Sequence, residues 1–237
     1  MNINVQTQGE GPLTHAPADP VLWPTTDGTL YPIHRIFCVG RNYAAHAREM
    51  GKDPDRDPPF FFTKFPESYV PSEHTIAYPP GTSNYHFEVE LCVALAEGGR
   101  DIQEKDAAGK IAGYAVGLDM TRRDLQLTAR EQGRPWDAGK NFEESAPMAA
   151  LHPVAETGIL TTGRIALSVN GETKQEADLA DLIWSVDEII AHLSRFYELR
   201  AGDVIMTGTP AGVGAVVAGD RMIGEITGLN SVETDVV

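Results

Sequence analysis

The sequence predicts an α+β domain that is predominantly β. Three observations predict it. Short apolar runs closed by Gly, Pro, Asn or Asp recur along most of the chain. Asn170-Gly171 stands between two strand-like segments, 164–169 and 173–177, and is the strongest hairpin signal present. Helical spacing with a recognisable start or stop is confined to a few short stretches.

Composition sets the outer limits. The 237 residues suit one large domain or one domain with an arm, and 42% hydrophobic with 22% charged residues is the balance of an ordinary globular protein. A net charge of −15 leaves no basic surface to spare for nucleic acid or an anionic membrane, so an anionic substrate must meet local cations or a metal. Residues 1–10 lack a basic start followed by an apolar core, and the longest uncharged stretch, 204–219, is broken by Pro210 and glycines. Neither a secretory signal nor a spanning helix is expected, and the chain reads as cytoplasmic. Cys38 and Cys92 lie in apolar β-like surroundings and read as small core residues, not as a bridge.

Taken in order, residues 1–34 are rich in Pro, Thr, Gly and Asp and read as an extended arm ahead of the domain over 35–237. Ile36 to Val39 is a buried strand that breaks at Gly40 into a short Ala-rich helix closed by Gly51, on which His46 and Glu49 share a face. The aromatic strand 60–66 carries Lys64, which either snorkels to water or meets an anion. A short helix is expected over 107–111. The strand 111–118 then ends on Asp119, a place well suited to a site residue.

Thr121 with Asp124 has the spacing of a capping box for a helix ending at Gly133, and Arg123, Gln126 and Arg130 share one of its faces. That face is solvated, or, with Asp119 beside it, binds a ligand. Turn chemistry makes 133–143 a structured loop holding a single lysine, Lys140. Ser185 and Glu188 box the start of a helix reaching about Leu199. The strand 204–206 opens into Thr207-Gly208-Thr209-Pro210-Ala211-Gly212, a Gly/Thr loop that offers N–H groups and hydroxyls to an anion but lacks the lysine of a phosphate loop. Strand-like pieces over 222–227 and 231–236 close the chain.

The sharpest chemical pattern is Glu88-Val89-Glu90. Residues two apart in a strand share a face and stand about 6.6 Å apart along it, so both carboxylates can lean toward one cation. A solvent-facing strand reads the same way.

Together with Gly40-Arg41-Asn42-Tyr43, His46 and Glu49, the run 119–126, Gly139-Lys140-Asn141-Phe142 and the loop 207–214, this pattern resembles the fumarylacetoacetate hydrolase family, in the family's order and over most of the chain. The wording Arg-Arg-Asp-Leu-Gln and Gly-Arg-Pro-Trp-Asp-x-Gly-Lys is similar to its short acylpyruvate hydrolase branch. The resemblance implies a mixed β-sandwich roll with a few helices, a homodimer, and Mg²⁺ or Mn²⁺ held by Glu88, Glu90 and Asp119. It implies that His46 and Glu49 lie on a lid helix and that Lys140 and Thr209 face the substrate.

Three carboxylates without Cys or His suit a hard ion that leaves positions for the two oxygens of a 2-oxo acid. The activity that the resemblance implies is hydrolysis of the C–C bond of a 2,4-diketo acid in aromatic catabolism, with fumarylpyruvate giving fumarate and pyruvate. In it His46 and Glu49 activate water, Lys140 stabilises the oxyanion, and Arg123, Gln126 and Thr209 orient the substrate. A distal carboxylate would need Lys64, Arg41 or Arg130. Oxaloacetate decarboxylation on the same site, or isomerisation or decarboxylation of related diacids, is the alternative activity, and a non-catalytic metal-binding protein is the remaining reading.

Overall fold

The fold is organised by the strand Val89–Leu95, which is buried along its whole length. The computed structural model describes residues 15, 16, 18–44 and 57–237. Within them the expected strands assemble into a mixed β-sandwich roll. The central sheet runs in the order Phe60–Lys64, Arg35–Gly40, Asp203–Met206, Val89–Leu95, Ile111–Leu118, Ala146–Met148 and Tyr69–Pro71. A five-stranded sheet contains the hairpin strands Arg164–Val169 and Glu172–Asp178, then Arg221–Ile226, Val232–Val236 and His74–Ile76.

Alternation divides the central sheet into two buried faces. Val89, Leu91, Val93 and Leu95 join Phe37, Val39, Val116 and Ile205 in the main core, which also takes Ile165, Leu167 and Met222 from the second sheet and Ile189, Ile190 and Leu193 from the helix Val186–Phe196. Cys92 and Ala94 point the other way, into a second core with Cys38, Ala115 and Met206. A sheet covered on both faces reads as continuously apolar, which is why the run 91–95 shows no polar alternation. Both cysteines are buried and free, and Met206 pairs with each, so a strand separates them.

The second core is closed by residues that composition placed outside it. Over its described part, the arm expected over 1–34 is a β-hairpin of Val21–Pro24 with Leu30–Ile33. Trp23 is fully buried, and its Nε1 donates to the Ala149 carbonyl at 2.7 Å. Prolines at 24 and 32 hide the alternation in the sequence, yet both are tolerated where a strand is short and at an edge.

Local signals fare unevenly. Asn170 and Gly171 take φ of +50° and +82°, the left-handed pair that a two-residue hairpin turn requires. Ser185 and Glu188 form the expected box. The box expected at Thr121 and Asp124 does not form. Thr121–Arg122 pairs as a short strand with Tyr85–Phe87, and Asp124 instead accepts from Thr82 and Ser83. The helix begins at Arg123 without a side-chain cap. The expected helix over 107–111 lies earlier, at Glu104–Ala107 with a 3₁₀ turn after it, because Ile111 is already in the central sheet. A single helical turn, Asp137–Lys140, sits inside the loop 133–143. Among the described residues no helix is long and apolar enough to cross a membrane.

Trp23→Ala removes a large buried ring and leaves the Ala149 carbonyl without its donor. Chemical denaturation is expected to register a loss of about 3–5 kcal/mol, and a loss under ~1 kcal/mol would place the hairpin outside the core.

Candidate active site

The site lies where the second face of the central sheet runs out of apolar residues. Glu90 shares that face with Cys92, while Glu88 precedes the strand and Asp119 follows its neighbour Ile111–Leu118. The Asp119 N–H donates to the Glu88 carbonyl at 2.8 Å, which fixes the two strand ends together. Glu88, Glu90 and Asp119 are 5%, 2% and 0% exposed, and their candidate ligand atoms all lie within 4.8 Å of one another. The solvent-facing reading of Glu88 and Glu90 therefore fails.

Three buried carboxylates require counter-charge. Lys140 Nζ donates to Glu88 Oε2 at 2.7 Å and Asp119 Oδ2 at 2.6 Å. Arg123 pairs with Glu88 Oε1, and donates to Gln126 Oε1 and, at 3.3 Å, to His86 Nδ1. Burial and the Arg123 charge push His86 down to about 4, so its ring is neutral and free to accept. Burial alone would depress the Lys140 ammonium, but Asp119 and Glu88 outweigh it and the net direction is up. Glu90 is held differently: it accepts from the Gly208 N–H at 2.7 Å. Burial, then the Asp119 and Glu88 charges, push its carboxyl well above the usual carboxylate range.

Close backbone approach places two of these groups. A Cβ on Gly208, at φ +104°, would stand 2.7 Å from Asn42 Cβ. Asn42 in turn donates to the Thr207 carbonyl at 2.8 Å and so holds the strand exit in place. A Cβ on Gly139 would stand 2.8 Å from the Gln126 nitrogen, so glycine lets the Lys140 turn press against the Arg123 helix.

Arg41, Arg123, Gln126, Lys140 and Thr209 line one pocket with the three carboxylates. Arg123 and Gln126 are each 4% exposed, so they are not part of a solvated face. Lys64 does not line the pocket and does not reach water. At 2% exposure it sits behind Asp119, its Nζ donating to the carbonyls of Met120 and Lys140 and to Ser145 Oγ, with Asp119 Oδ1 at 2.9 Å. His46 and Glu49 lie outside the described residues.

Sequence reasoning missed three contributors. Trp136 and Phe62 form an apolar wall of the pocket. Gln175, on the hairpin, is the third: its amide donates to Thr209 Oγ1 at 2.8 Å and to the Pro210 carbonyl at 2.8 Å, and accepts from the Val89 N–H at 3.0 Å. Its one signal is a glutamine at an inward position of an otherwise exposed strand.

The residues fit a hard divalent ion. All three candidate ligands are oxygen donors, and Asp119 Oδ1 is buried with no hydrogen bond to it, the ion-paired Lys64 ammonium lying 2.9 Å away. The family model for the fumarylacetoacetate hydrolase C-terminal domain matches residues 35–237. The chain belongs to the fumarylacetoacetate hydrolase family. Within that family it is 51% identical over 189 residues to a fumarylpyruvate hydrolase of a Ralstonia species, covering 79% of this chain and 98% of the relative. It is 41% identical over 202 residues to a mitochondrial oxaloacetate tautomerase of Arabidopsis thaliana, covering 85% of this chain and 90% of that protein. Its fold matches the fumarylpyruvate hydrolase of Pseudomonas aeruginosa in complex with Mn²⁺ and pyruvate, with a TM-score of 0.93, 50% identity, and 95% and 99% of the two chains covered.

Two outcomes are expected. Gly208→Ala displaces the N–H that Glu90 accepts from, and Mn²⁺ affinity read by calorimetry is expected to fall about 10- to 100-fold. Because Glu90 is raised in the metal-free protein and must lose its proton to ligate, Mn²⁺ binding is expected to release a proton and to strengthen as pH rises above the usual carboxylate range. Calorimetry in two buffers of different ionisation enthalpy measures that proton, and pH-independent affinity would contradict the assignment of Glu90 as a ligand.

Proposed function

We propose that this chain hydrolyses the C3–C4 bond of a 2,4-diketo acid, and that fumarylpyruvate, giving fumarate and pyruvate, is its substrate. The observation that carries the reading is a buried triad of oxygen ligands sharing a pocket with cations, on a chain half identical to fumarylpyruvate hydrolases over nearly their whole length.

Held by Glu88, Glu90 and Asp119, Mg²⁺ or Mn²⁺ supplies Lewis acidity toward the 2-oxo acid end of the substrate. The chain's own groups do the rest. Arg123, Gln126 and Thr209 orient the pyruvyl end, Thr209 being set by Gln175. His46, backed by Glu49, takes a proton from the water that attacks the C4 carbonyl. Lys140, kept protonated by Glu88 and Asp119, donates to the oxyanion that develops at C4. Collapse of that adduct breaks C3–C4, the electron pair passes to C3 as the enolate of pyruvate, and protonation there completes the products.

Oxaloacetate decarboxylation needs the enolate but no attacking water. The oxaloacetate relative described above is a tautomerase, and at 41% identity it stands further off than the fumarylpyruvate hydrolase at 51%. A protein that only bound metal would have no use for Arg41 and Gln126 in the pocket wall. The reading extends to a homodimer in the cytoplasm that serves the catabolism of aromatic compounds, with no nucleic acid or membrane partner. The charge of −15 supports that last exclusion, and light scattering checks the dimer.

Purified protein with Mn²⁺, offered fumarylpyruvate, acetylpyruvate and oxaloacetate side by side, is expected to turn over fumarylpyruvate fastest; no turnover of either diketo acid would defeat the hydrolase reading. Lys140→Ala is expected to lower kcat by about 10²–10³. His46→Ala is expected to abolish diketo acid hydrolysis while sparing any decarboxylation of oxaloacetate, and unchanged hydrolysis would remove His46 from its role.

A further inference from the structure

The cations lining the pocket are not equivalent. Arg123 is paired with Glu88, and Lys140 with Glu88 and Asp119. Arg41 lines the same pocket, yet among the described residues no carboxylate pairs with it. Its surroundings seat the guanidinium on aromatic rings. The guanidinium lies over the Phe60 ring at 5.4 Å and the Trp136 ring at 5.9 Å, and these rings meet edge to face at 5.2 Å. An aromatic seat orients a guanidinium and limits the water that can screen it. Partial burial, and after it the positive charge of Arg130, lowers the proton affinity of Arg41.

The backbone is shaped to hold this seat. Arg41 adopts φ +60°, a conformation that non-glycine side chains rarely take. The preceding Gly40 lies so close under Phe60 that a Cβ there would stand 1.9 Å from the ring. Strain of this kind persists where the surroundings over-determine it, and it gathers at ligand sites. Of the two other cations expected for a distal carboxylate, Lys64 has its N–H groups taken up by two carbonyls and a hydroxyl, and Arg130 does not line the pocket.

We infer that Arg41, seated on Phe60 and Trp136, binds the carboxylate at the far end of the substrate and makes the pocket selective for acylpyruvates that end in a second carboxylate. This rests on the acylpyruvate reading above and adds the class of acyl group. The metal ligands hold one end of such a molecule and Arg41 the other. The flat enone between them lies along the apolar wall of Phe62 and Trp136, which also line the pocket. An acetyl group in place of the fumaryl group leaves the guanidinium without its anion.

The test compares substrates and also reads binding without turnover. In Mn²⁺-loaded protein, Arg41→Asn removes the charge with a residue that tolerates positive φ. The ratio of kcat/KM for fumarylpyruvate to that for acetylpyruvate is expected to fall about 10- to 100-fold, the size of one lost hydrogen-bonded charge contact, and to fall through KM. Trp136→Leu, which unseats the guanidinium, is expected to lower the same ratio several-fold. Equal losses on both substrates, or an unchanged ratio, would overturn the inference.

Calorimetry of wild-type protein with fumarate and with crotonate, in which a methyl group replaces one carboxylate, reads the subsite even if a variant fails to fold. A preference for fumarate that Arg41→Asn erases supports the assignment, and wild-type binding of the two alike overturns it. If neither diketo acid is hydrolysed but that preference is present and lost in the variant, the subsite stands and the hydrolase reading falls.

Discussion

The structure depends on one electrostatic constraint: three carboxylates buried at the end of one face of a sheet, within a few ångströms of each other. Burying even one carboxylate unpaired is costly, and three together are untenable without nearby positive charge. The surrounding side chains answer that need. Lys140 spans two of the carboxylates, Arg123 takes the outer oxygen of Glu88, and Lys64 backs Asp119 from inside. Once Glu90 has given up its proton, three cations face three carboxylates and the cluster is formally neutral. A divalent ion would leave it doubly positive, and an anionic substrate restores the balance. The acidity of the whole chain is thus compatible with a cationic pocket, because Lys64, Arg123 and Lys140 are buried around the carboxylates.

The scaffold supplies position, and it does so from both layers of the sandwich. Glu90 is held by a backbone N–H at the exit of one strand, Asp119 by the end of its neighbour, and Lys140 by a helical turn that glycine allows to press on the Arg123 helix. Gln175 crosses from the second sheet to bind Val89, Thr209 and Pro210 at once. The hairpin that carries it therefore shares in shaping the pocket.

Legibility followed the range of the interaction. Asn170-Gly171 and the Ser185 box depend on neighbours in the chain, and both read directly from the sequence. Glu88 and Glu90 did not. Their spacing fits a wet strand equally well, and only partners from distant segments decide between the readings. Trp23 was hidden among prolines, and its burial depends on Ala149, more than a hundred residues away. The Thr121 box has correct spacing but lost to a strand pairing with Tyr85–Phe87, a tertiary override of a local preference. Lys64 was read as a surface or binding lysine because a lysine with its hydrogen bonds satisfied inside a protein leaves no mark in its own neighbourhood of sequence.

The arrangement of the two lysines has a chemical corollary. A primary amine beside a 2-oxo acid condenses with it when the nitrogen has a free lone pair, which is how lysine enzymes form Schiff bases. Here Asp119 and Glu88 hold Lys140 as an ammonium, and Lys64 spends its N–H groups on carbonyls and a hydroxyl out of reach of the pocket. The pairing that neutralises the carboxylates thus also removes the nucleophile. A keto acid enters a pocket lined by lysine and meets hydrogen-bond donors without being captured by an imine.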